Sequence, residues 1–272
     1  MPRPYDRLEG FIHHAIQYVA ILGQAYTPQQ ADDSHTNMCW NVNQQAFTGH
    51  PIQGPTDFIP AFFPADFSLR LLTHDAQTLV SIKLSELTFA QGLSSLKQRL
   101  AAMGFEEEKL QPISHYEIPL GPMGEMGKFE QPDPALLKHW SYERSEAQKA
   151  IEAVSTAAKF KSSVQTWPHH FDAGIYEILD IPHAAGGHGL GLGWSVRDKV
   201  ANEPYFYVYL WQEKGAIDYA SLAPLSVGHW SDGDWKGAYL GASEAFPAGA
   251  EKPQEAIQTF LLEAKATLLS AI

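Results

Sequence analysis

Two adjacent histidines and an aspartate stand close together in the hexapeptide WPHHFD, residues 167–172. We expect this hexapeptide to form a β-strand, in which successive side chains point to opposite faces. His169 and His170 would then point apart, so they do not form a paired ligand. His170 and Asp172 would share one face, about 7 Å apart at the backbone. If the protein is an enzyme, this spacing predicts a catalytic pair with His170 as general base, oriented by Asp172 or Asp198.

The same pair fits a second chemistry, because a His-x-Asp spacing occurs in 2-His-1-carboxylate iron sites. The third ligand would arrive from another strand, and His188 and His229 are the downstream candidates. Iron oxygenases that use a 2-oxo acid also need a basic side chain, usually an arginine some ten residues after the distal histidine, and only Lys236 follows His229 at a comparable distance. We therefore predict no metal ligands and keep a metal-dependent enzyme using His170 and Asp172 as an alternative. The sequence identifies no cofactor.

Glycines alternate with other residues in the segment GGHGLGLGWS, residues 186–195. Those at positions 187, 189, 191 and 193 would share one face of an extended chain. The segment lacks the Gly-Lys-Ser/Thr ending of a phosphate-binding loop and leads into a strand, where such a loop needs a helix N-terminus. A strand face without side chains leaves room for something bulky. We expect either aromatic side chains of a neighbouring strand or a ligand there.

The strand that follows, PYFYVYLW, places Tyr205, Tyr207 and Tyr209 on one face and apolar core residues on the other. Beside a glycine strand, three tyrosines would line an aromatic pocket with polar tips. Alternatively, they would pack under a helix with their hydroxyls at the solvent edge. The predicted ligand-binding residues of this region are Ser195, Arg197, Asp198, Glu203, Tyr205 and Tyr207.

These patterns favour a small-molecule site in the second half of the chain, used either for binding or for catalysis. The alternative is a scaffold or interaction module, whose motif residues hold strands together through buried hydrogen bonds. A pocket that contains His170 and Asp172 would favour the first interpretation. Burial of both side chains, with their hydrogen bonds made to backbone, would favour the second.

The other reactive residue types indicate packing. Cys39 alternates with Met38 and Trp40 in a predicted strand and lacks a catalytic context. His13 and His14 are neighbours on a predicted helix, so they lack the i, i+4 spacing of zinc motifs. We expect both histidines at the surface, because at least His14 falls opposite the apolar stripe of that helix.

A formal net charge of −12 over 272 residues repels phosphate, so we expect no nucleic-acid partner. No apolar run approaches the ~18 residues of a membrane span, and the N-terminus lacks the apolar core of a signal peptide. The single cysteine fits a reducing compartment. We expect a cytoplasmic protein without membrane contact whose partner is a small molecule. The sequence indicates no oligomeric state.

Periodicity along the chain predicts an α+β protein with mainly antiparallel sheet and packed helices. Residues 1–105 are predicted as helix, strands, hairpin and helix, and residues 133–272 as helix, strands and helix. The Pro- and Gly-rich residues 106–132 connect these halves. The order suggests a duplicated helix-sheet-helix unit, with one integrated domain as the alternative. Prolines repeated through residues 51–66 predict a loop there.

Two motifs of the second half, WPHHFD and the later NEPYFYVYLW, resemble those of a bacterial family of uncharacterised proteins catalogued as a domain of unknown function. In that family a long helix runs into a WPHHFD-like strand, and an EPYFYV-like strand follows. The turn between the motifs is usually Ser-Pro-Gly-Asp-like. Here Ser195 and Asp198 match, whereas Val196 and Arg197 replace the Pro and Gly. The resemblance implies an order of elements and no activity.

Overall fold

The computed structural model describes residues 4–118, 123, 127–181, 186–247 and 253–272. Over these ranges the chain forms five α-helices and two antiparallel sheets, which confirms the α+β fold class. The helices are α1 (Pro4–Tyr26), α2 (Phe89–Ala102), α3 (Pro134–Ala158), α4 (Ala242–Ala245) and α5 (Pro253–Ser270). The strands are β1 (Cys39–Asn41), β2 (Ala46–Thr48), β3 (Ile59–Phe63), β4 (Ser68–Leu72), β5 (Thr78–Lys83), β6 (Gln165–Thr166), β7 (Ala173–Leu179), β8 (His188–Ser195), β9 (Tyr205–Gln212), β10 (His229–Asp232) and β11 (Lys236–Gly241). None of the helices in these ranges is long and apolar enough to cross a bilayer.

Side-chain caps determine where two of the helices begin. The Thr88 hydroxyl accepts a hydrogen bond from the Gln91 amide, and the Gln91 side chain accepts one from the Thr88 amide, which forms a capping box for α2. Asp133 Oδ1 accepts hydrogen bonds from the backbone N–H of Ala135 at 2.8 Å and of Leu136 at 3.0 Å. Because these contacts satisfy the free amides of the first turn, α3 begins after Asp133, as the sequence predicts.

The first sheet is a meander, in which each strand from β1 to β5 pairs with the next. The hairpin predicted in the first half of the chain is confirmed as β4 and β5, joined by a turn from Thr73 to Gln77. Within the turn, the Thr73 amide donates to the Gln77 carbonyl at 2.8 Å. Leu69 and Leu71 are buried on the inner face of β4.

The loop predicted over residues 51–66 is wrong for its middle part, which forms β3 inside the first sheet. Pro60 has no backbone N–H for the ladder, but its carbonyl accepts a hydrogen bond from the Gly49 amide at 2.9 Å. Ala61 and Phe62 are fully buried. The burial and the pairing of β3 therefore outweigh the one donor that the proline removes.

The second sheet has the strand order β10-β11-β9-β8-β7-β6, with β8 paired to β7 and β9. One face packs into an apolar core with α3 and α5. The strands contribute Ile175, Leu190, Leu192, Phe206 and Val208 to this core. The last helix, α5, adds five buried residues to the same core: Ile257, Phe260, Leu261, Ala264 and Leu268. The glycines and tyrosines occupy the other face of the sheet.

The chain divides into two compact units. The first unit contains Met1–Tyr142 and Thr166–Phe171, and the second contains Glu143–Gln165 and Asp172–Ile272. The chain passes from one unit to the other inside α3, again before Thr166 and again after Phe171. Neither point coincides with the connector predicted at residues 106–132.

The two sheets differ in strand order. In the first sheet every strand lies beside its successor, whereas in the second β9 lies beside β11 and β10 forms the edge. The duplication that the order of elements suggests stays a prediction.

Helix α1 corrects the prediction for its two histidines. His14 is buried, 6% exposed, and His13 is half-buried. The predicted polar face does not reach solvent, because α1 is covered on nearly every side, and Gln17 is buried with the histidines. His14 Nδ1 donates to the Gly10 carbonyl of its own helix at 2.8 Å. One of the two ring nitrogens of the buried His14 imidazole therefore has a hydrogen-bond partner.

Candidate functional site

The WPHHFD hexapeptide is a turn, so the predicted strand is wrong. Strand β6 ends before it and β7 begins after it. The Phe171 amide donates to the Trp167 carbonyl at 2.8 Å, and Phe171 has a φ of 60°. Pro168 lacks the amide hydrogen that a ladder needs, and a positive φ takes the chain out of the extended conformation. The alternation that placed His170 and Asp172 on one strand face therefore does not apply.

Helix α1 holds this turn inside the first unit. The Pro168 carbonyl accepts hydrogen bonds from Nε2 of His13 and Nε2 of Gln17, each at 2.8 Å. The Phe171 ring is 1% exposed and stacks on the His13 imidazole, with ring centroids 5.1 Å apart. Two residues of the hexapeptide thus have a structural role, since the Pro168 carbonyl and the Phe171 ring both pack against α1.

His170 and Asp172 fall in different units. His170 is exposed, and its ring centroid lies 4.4 Å from that of His169. Asp172 is half-buried, and its Oδ2 accepts a hydrogen bond from the Tyr207 hydroxyl at 2.6 Å. The structure therefore gives Asp172 a tyrosine partner. The catalytic pairing of His170 with Asp172 stays a prediction.

Two tyrosines donate to two aspartates at one end of the second sheet. Besides Tyr207 and Asp172, the Tyr205 hydroxyl donates to Asp198 Oδ2 at 2.9 Å. Ser195 lies directly opposite Tyr205 in the ladder. These five predicted residues meet because, in an antiparallel sheet, β8 ends at the same side on which β7 and β9 begin.

Burial keeps both phenols protonated. Burial raises the pKa of Tyr207 well above its usual value, and the negative charge of Asp172 raises it further. Burial also raises the pKa of Tyr205, followed by the effect of Asp198. A carboxylate beside each hydroxyl disfavours a second negative charge there. At neutral pH both hydroxyls are therefore hydrogen-bond donors.

The glycines of β8 lie beneath aromatic rings. A Cβ atom added at Gly191 would overlap the ring of Tyr209, and one added at Gly189 would overlap the ring and hydroxyl of Tyr176. Tyr176 belongs to β7 and Tyr209 to β9, so rings from both neighbouring strands cover the glycine strand. The predicted bulky neighbour is confirmed as aromatic side chains.

These rings form a continuous surface that is partly open to solvent. The Tyr176 and Tyr209 rings lie 6.4 Å apart at an angle of 28°, and the Tyr207 and Tyr209 rings lie 6.1 Å apart at 29°. Tyr176 is 41% exposed and Trp211 is 48% exposed. We define the tyrosine face as Tyr176, Tyr205, Tyr207, Tyr209 and Trp211.

Arg197 and Glu203, which the sequence also predicts as ligand-binding, make contacts of a structural kind. Arg197 Nη1 donates to Asn202 Oδ1 at 3.2 Å within the connection between β8 and β9. The Glu203 carboxylate accepts hydrogen bonds from both the amide and the hydroxyl of Ser243, each at 2.9 Å. Glu203 therefore holds the first turn of α4 beside the start of β9.

Glu143 is a buried acid that the sequence reasoning missed. It is 8% exposed, and burial, followed by the charge of Glu203, raises its pKa from 4.5 to about 7. A signal was present, because position 143 lies three residues after Trp140 and four before Ala147, on the apolar stripe of α3. A carboxyl on that stripe is expected to be buried.

Within the described ranges, no three His, Cys, Asp or Glu side chains come together as a metal site requires. His188 is 4% exposed and shares the core face of β8 with Leu190. His229 is exposed, and its Nε2 lies 3.0 Å from Glu244 Oε1. His188 therefore lies on the face of the sheet opposite Tyr207, and His229 lies on a strand that β11, β9 and β8 separate from β7.

No protein-family model, curated protein or solved structure matches the chain. The resemblance to the bacterial family stays a prediction that the WPHHFD and EPYFYV motifs carry.

Proposed function

We propose that this protein binds a small organic molecule on the tyrosine face of the second sheet. The supporting observation is the row of rings over the glycines of β8, with Tyr176 and Trp211 41% and 48% exposed. Contiguous exposed aromatic surface commonly marks a binding site.

The chemistry of the face defines the class of ligand. The rings of Tyr176, Tyr209 and Trp211 offer a stacking surface to a planar or ring-shaped molecule. The half-buried Asp172 carboxylate offers an acceptor to a ligand that carries hydroxyl or amino groups. The carboxylates and the net charge of −12 disfavour an anion. We therefore expect a neutral or cationic molecule with one flat apolar face and polar groups at its rim.

The proposal is binding without a reaction. Tyr205 and Tyr207 stay protonated at neutral pH and already donate to carboxylates, so neither supplies a strong base. An enzyme that uses His170 and Asp172 remains the alternative hypothesis from the sequence.

A thermal-shift screen with monosaccharides, nucleosides and aromatic amines, alongside anionic aromatic acids, tests the proposal. A ligand of the native state should raise the Tm of the wild type. The shift should be lost in Tyr209→Ala and Trp211→Ala and kept in Tyr142→Ala, which removes a tyrosine of the first unit that is 45% exposed. A shift that survives both face variants, or the absence of any shift across the panel, would contradict the proposal.

The hexapeptide favours a second candidate, a scaffold or interaction module. Its Pro168 carbonyl accepts two hydrogen bonds from α1, and its Phe171 ring is buried. On this hypothesis His13→Ala and Phe171→Ala lose stability, while no small molecule stabilises the wild type. The ligand screen therefore separates the two candidates.

A further inference from the structure

His13 joins α1 to the hexapeptide turn through an imidazole that lies inside an apolar contact. Its Nε2 donates to the Pro168 carbonyl at 2.8 Å, and its ring lies at 11° to the Phe171 ring. Gln17 donates to the same carbonyl at 2.8 Å and accepts a hydrogen bond from the Tyr116 hydroxyl at 2.8 Å. The turn is thus held to α1 by two side-chain donors on one carbonyl and by a ring stack.

Three further imidazoles lie around this contact. His14 follows His13 on α1, with the two ring centroids 6.5 Å apart. His169 and His170 belong to the turn, and their ring centroids are 4.4 Å apart. A charge on any of these three imidazoles would oppose a charge on His13.

Carboxylates near this region face other groups. Glu9 lies one helical turn before His13, and its Oε1 accepts a hydrogen bond from Trp140 Nε1 at 3.2 Å. Asp33 Oδ2 lies 2.8 Å from Nε2 of His115, which is the residue before Tyr116 in the sequence. The groups that pack on the Phe171 ring from β2 and α3 are the aromatic side chains Phe47 and Trp140.

We propose that acidification releases the turn Thr166–Phe171 from α1, because a proton on His13 places a charge against the buried Phe171 ring and beside three other imidazoles. The release is a local opening, in which His13 becomes hydrated and the turn leaves the helix. It is independent of any ligand on the tyrosine face.

The pKa of His13 gives the pH range of the release. Burial lowers this pKa from 6.5 to about 4; the Pro168 carbonyl opposes the decrease, and the neighbouring imidazoles add to it. In the opened state His13 takes up its proton at the usual value of 6.5. The stabilisation is therefore complete above pH 6.5 and is lost as the pH falls towards 4. Over this range each pH unit favours opening by up to about tenfold.

Hydrogen exchange between pH 7 and 4.5 measures the opening. The reporting amides are those of Phe171, which donates to Trp167, and of Thr166, which donates to Met38. Their protection factors, corrected for the intrinsic pH dependence of exchange, should fall by up to about tenfold per pH unit below about 6.5. Amides of β8 in the second unit should keep their protection over the same range.

Two variants isolate the role of His13. His13→Gln keeps a side-chain N–H donor and does not titrate, so it should remove most of the pH dependence at the reporting amides. His50→Gln is the matched control, because His50 Nε2 also contacts a carbonyl of the first unit, that of Ser34 at 2.9 Å. The control should retain the wild-type pH dependence.

An unchanged pH dependence in His13→Gln would overturn the proposal, as would simultaneous loss of protection in β8, because the opening would then be global. If His13→Gln does not fold, an NMR titration of the wild-type His13 ring decides. A ring that stays neutral to below pH 5 supports the release, and a ring that titrates near pH 6.5 overturns it.

Discussion

Both units concentrate aromatic residues, but they arrange them differently. The first unit has a closed cluster, in which no ring is more than 4% exposed: Trp40, Phe47, Trp140 and Phe171. The second unit carries its tyrosine face on the outer side of a sheet, where Tyr176 and Trp211 remain open to solvent. The closed cluster buries nearly all of its apolar area, whereas the tyrosine face leaves part of its apolar area exposed to solvent.

The phenolic hydroxyl explains much of this difference. A phenylalanine ring such as Phe171 needs no polar partner and gains most when it is fully buried. A buried tyrosine hydroxyl needs an acceptor, and Tyr207 finds it in Asp172. Tyrosines therefore stay near polar groups, where they combine stacking area with hydrogen bonding. We infer that the closed cluster serves stability and the tyrosine face serves recognition.

The largest expected effect is on the closed cluster. Phe171→Ala should lower the free energy of unfolding by about 3–5 kcal/mol, because it leaves a cavity among buried rings. Urea denaturation followed by circular dichroism measures the change. Ile178→Ala is the control, since Ile178 is 80% exposed and its truncation should change stability by less than about 0.5 kcal/mol. Equal effects of the two substitutions would contradict a closed cluster around Phe171.

The pH response should differ in sign between the units. The raised pKa of Glu143, from 4.5 to about 7, means that the native state holds a proton that the unfolded state has lost. Stability should therefore decrease as the pH rises from 4.5 to 7, by up to about tenfold per pH unit in the unfolding equilibrium. Glu143→Gln imitates the protonated acid and should abolish this decrease in denaturation series at pH 5, 6, 7 and 8. A decrease of equal slope in the variant would refute the assignment to Glu143.

A side chain on the glycine strand should disturb the tyrosine face. Gly191→Val would force the Tyr209 ring from its position, and such overpacking costs about 1–3 kcal/mol. Thermal denaturation should show a lower Tm for this variant. Gly233→Ala is the matched control, because a Cβ there meets no atom within 4 Å. If both variants have the Tm of the wild type, the packing of the Tyr209 ring does not require a glycine at position 191.

The smallest expected effect concerns a single hydroxyl. Tyr207→Phe removes the donor to Asp172 and should cost about 1 kcal/mol, while the ring and its packing remain. Chemical denaturation measures this loss. Under the binding hypothesis the same variant also weakens ligands that carry donor groups. A variant more stable than the wild type would show that Asp172 does not depend on this hydrogen bond.

Local signals in the sequence suffice for much of the fold. The capping residues Thr88 and Asp133 determine helix starts from their immediate neighbours. The alternation in residues 205–210 likewise separates a core face from a tyrosine face without outside information. Antiparallel strands bring their neighbouring ends together, so the sequence could indicate that five residues lie near one another: Asp172, Ser195, Asp198, Tyr205 and Tyr207.

The wrong predictions depend on distant partners. Pro60 forms part of a strand because the Gly49 amide bonds its carbonyl, and nothing in residues 51–66 reveals that partner. The hexapeptide turns because α1 supplies two donors to the carbonyl of Pro168. Burial of His14 follows from how thoroughly other elements cover α1. Local periodicity does not contain such tertiary information.

The segment Thr166–Phe171 belongs to the first unit but is synthesised after residues 143–165 of the second unit. The ribosome must add Phe171 before the rings of Phe47 and Trp140 gain their last neighbour. By then the intervening residues 143–165 of the second unit have already been made. A nascent chain that stops at Tyr142 exposes apolar rings and leaves His13 without its Pro168 acceptor. We expect such a chain to be bound by chaperones, because incomplete units that expose hydrophobic surface aggregate.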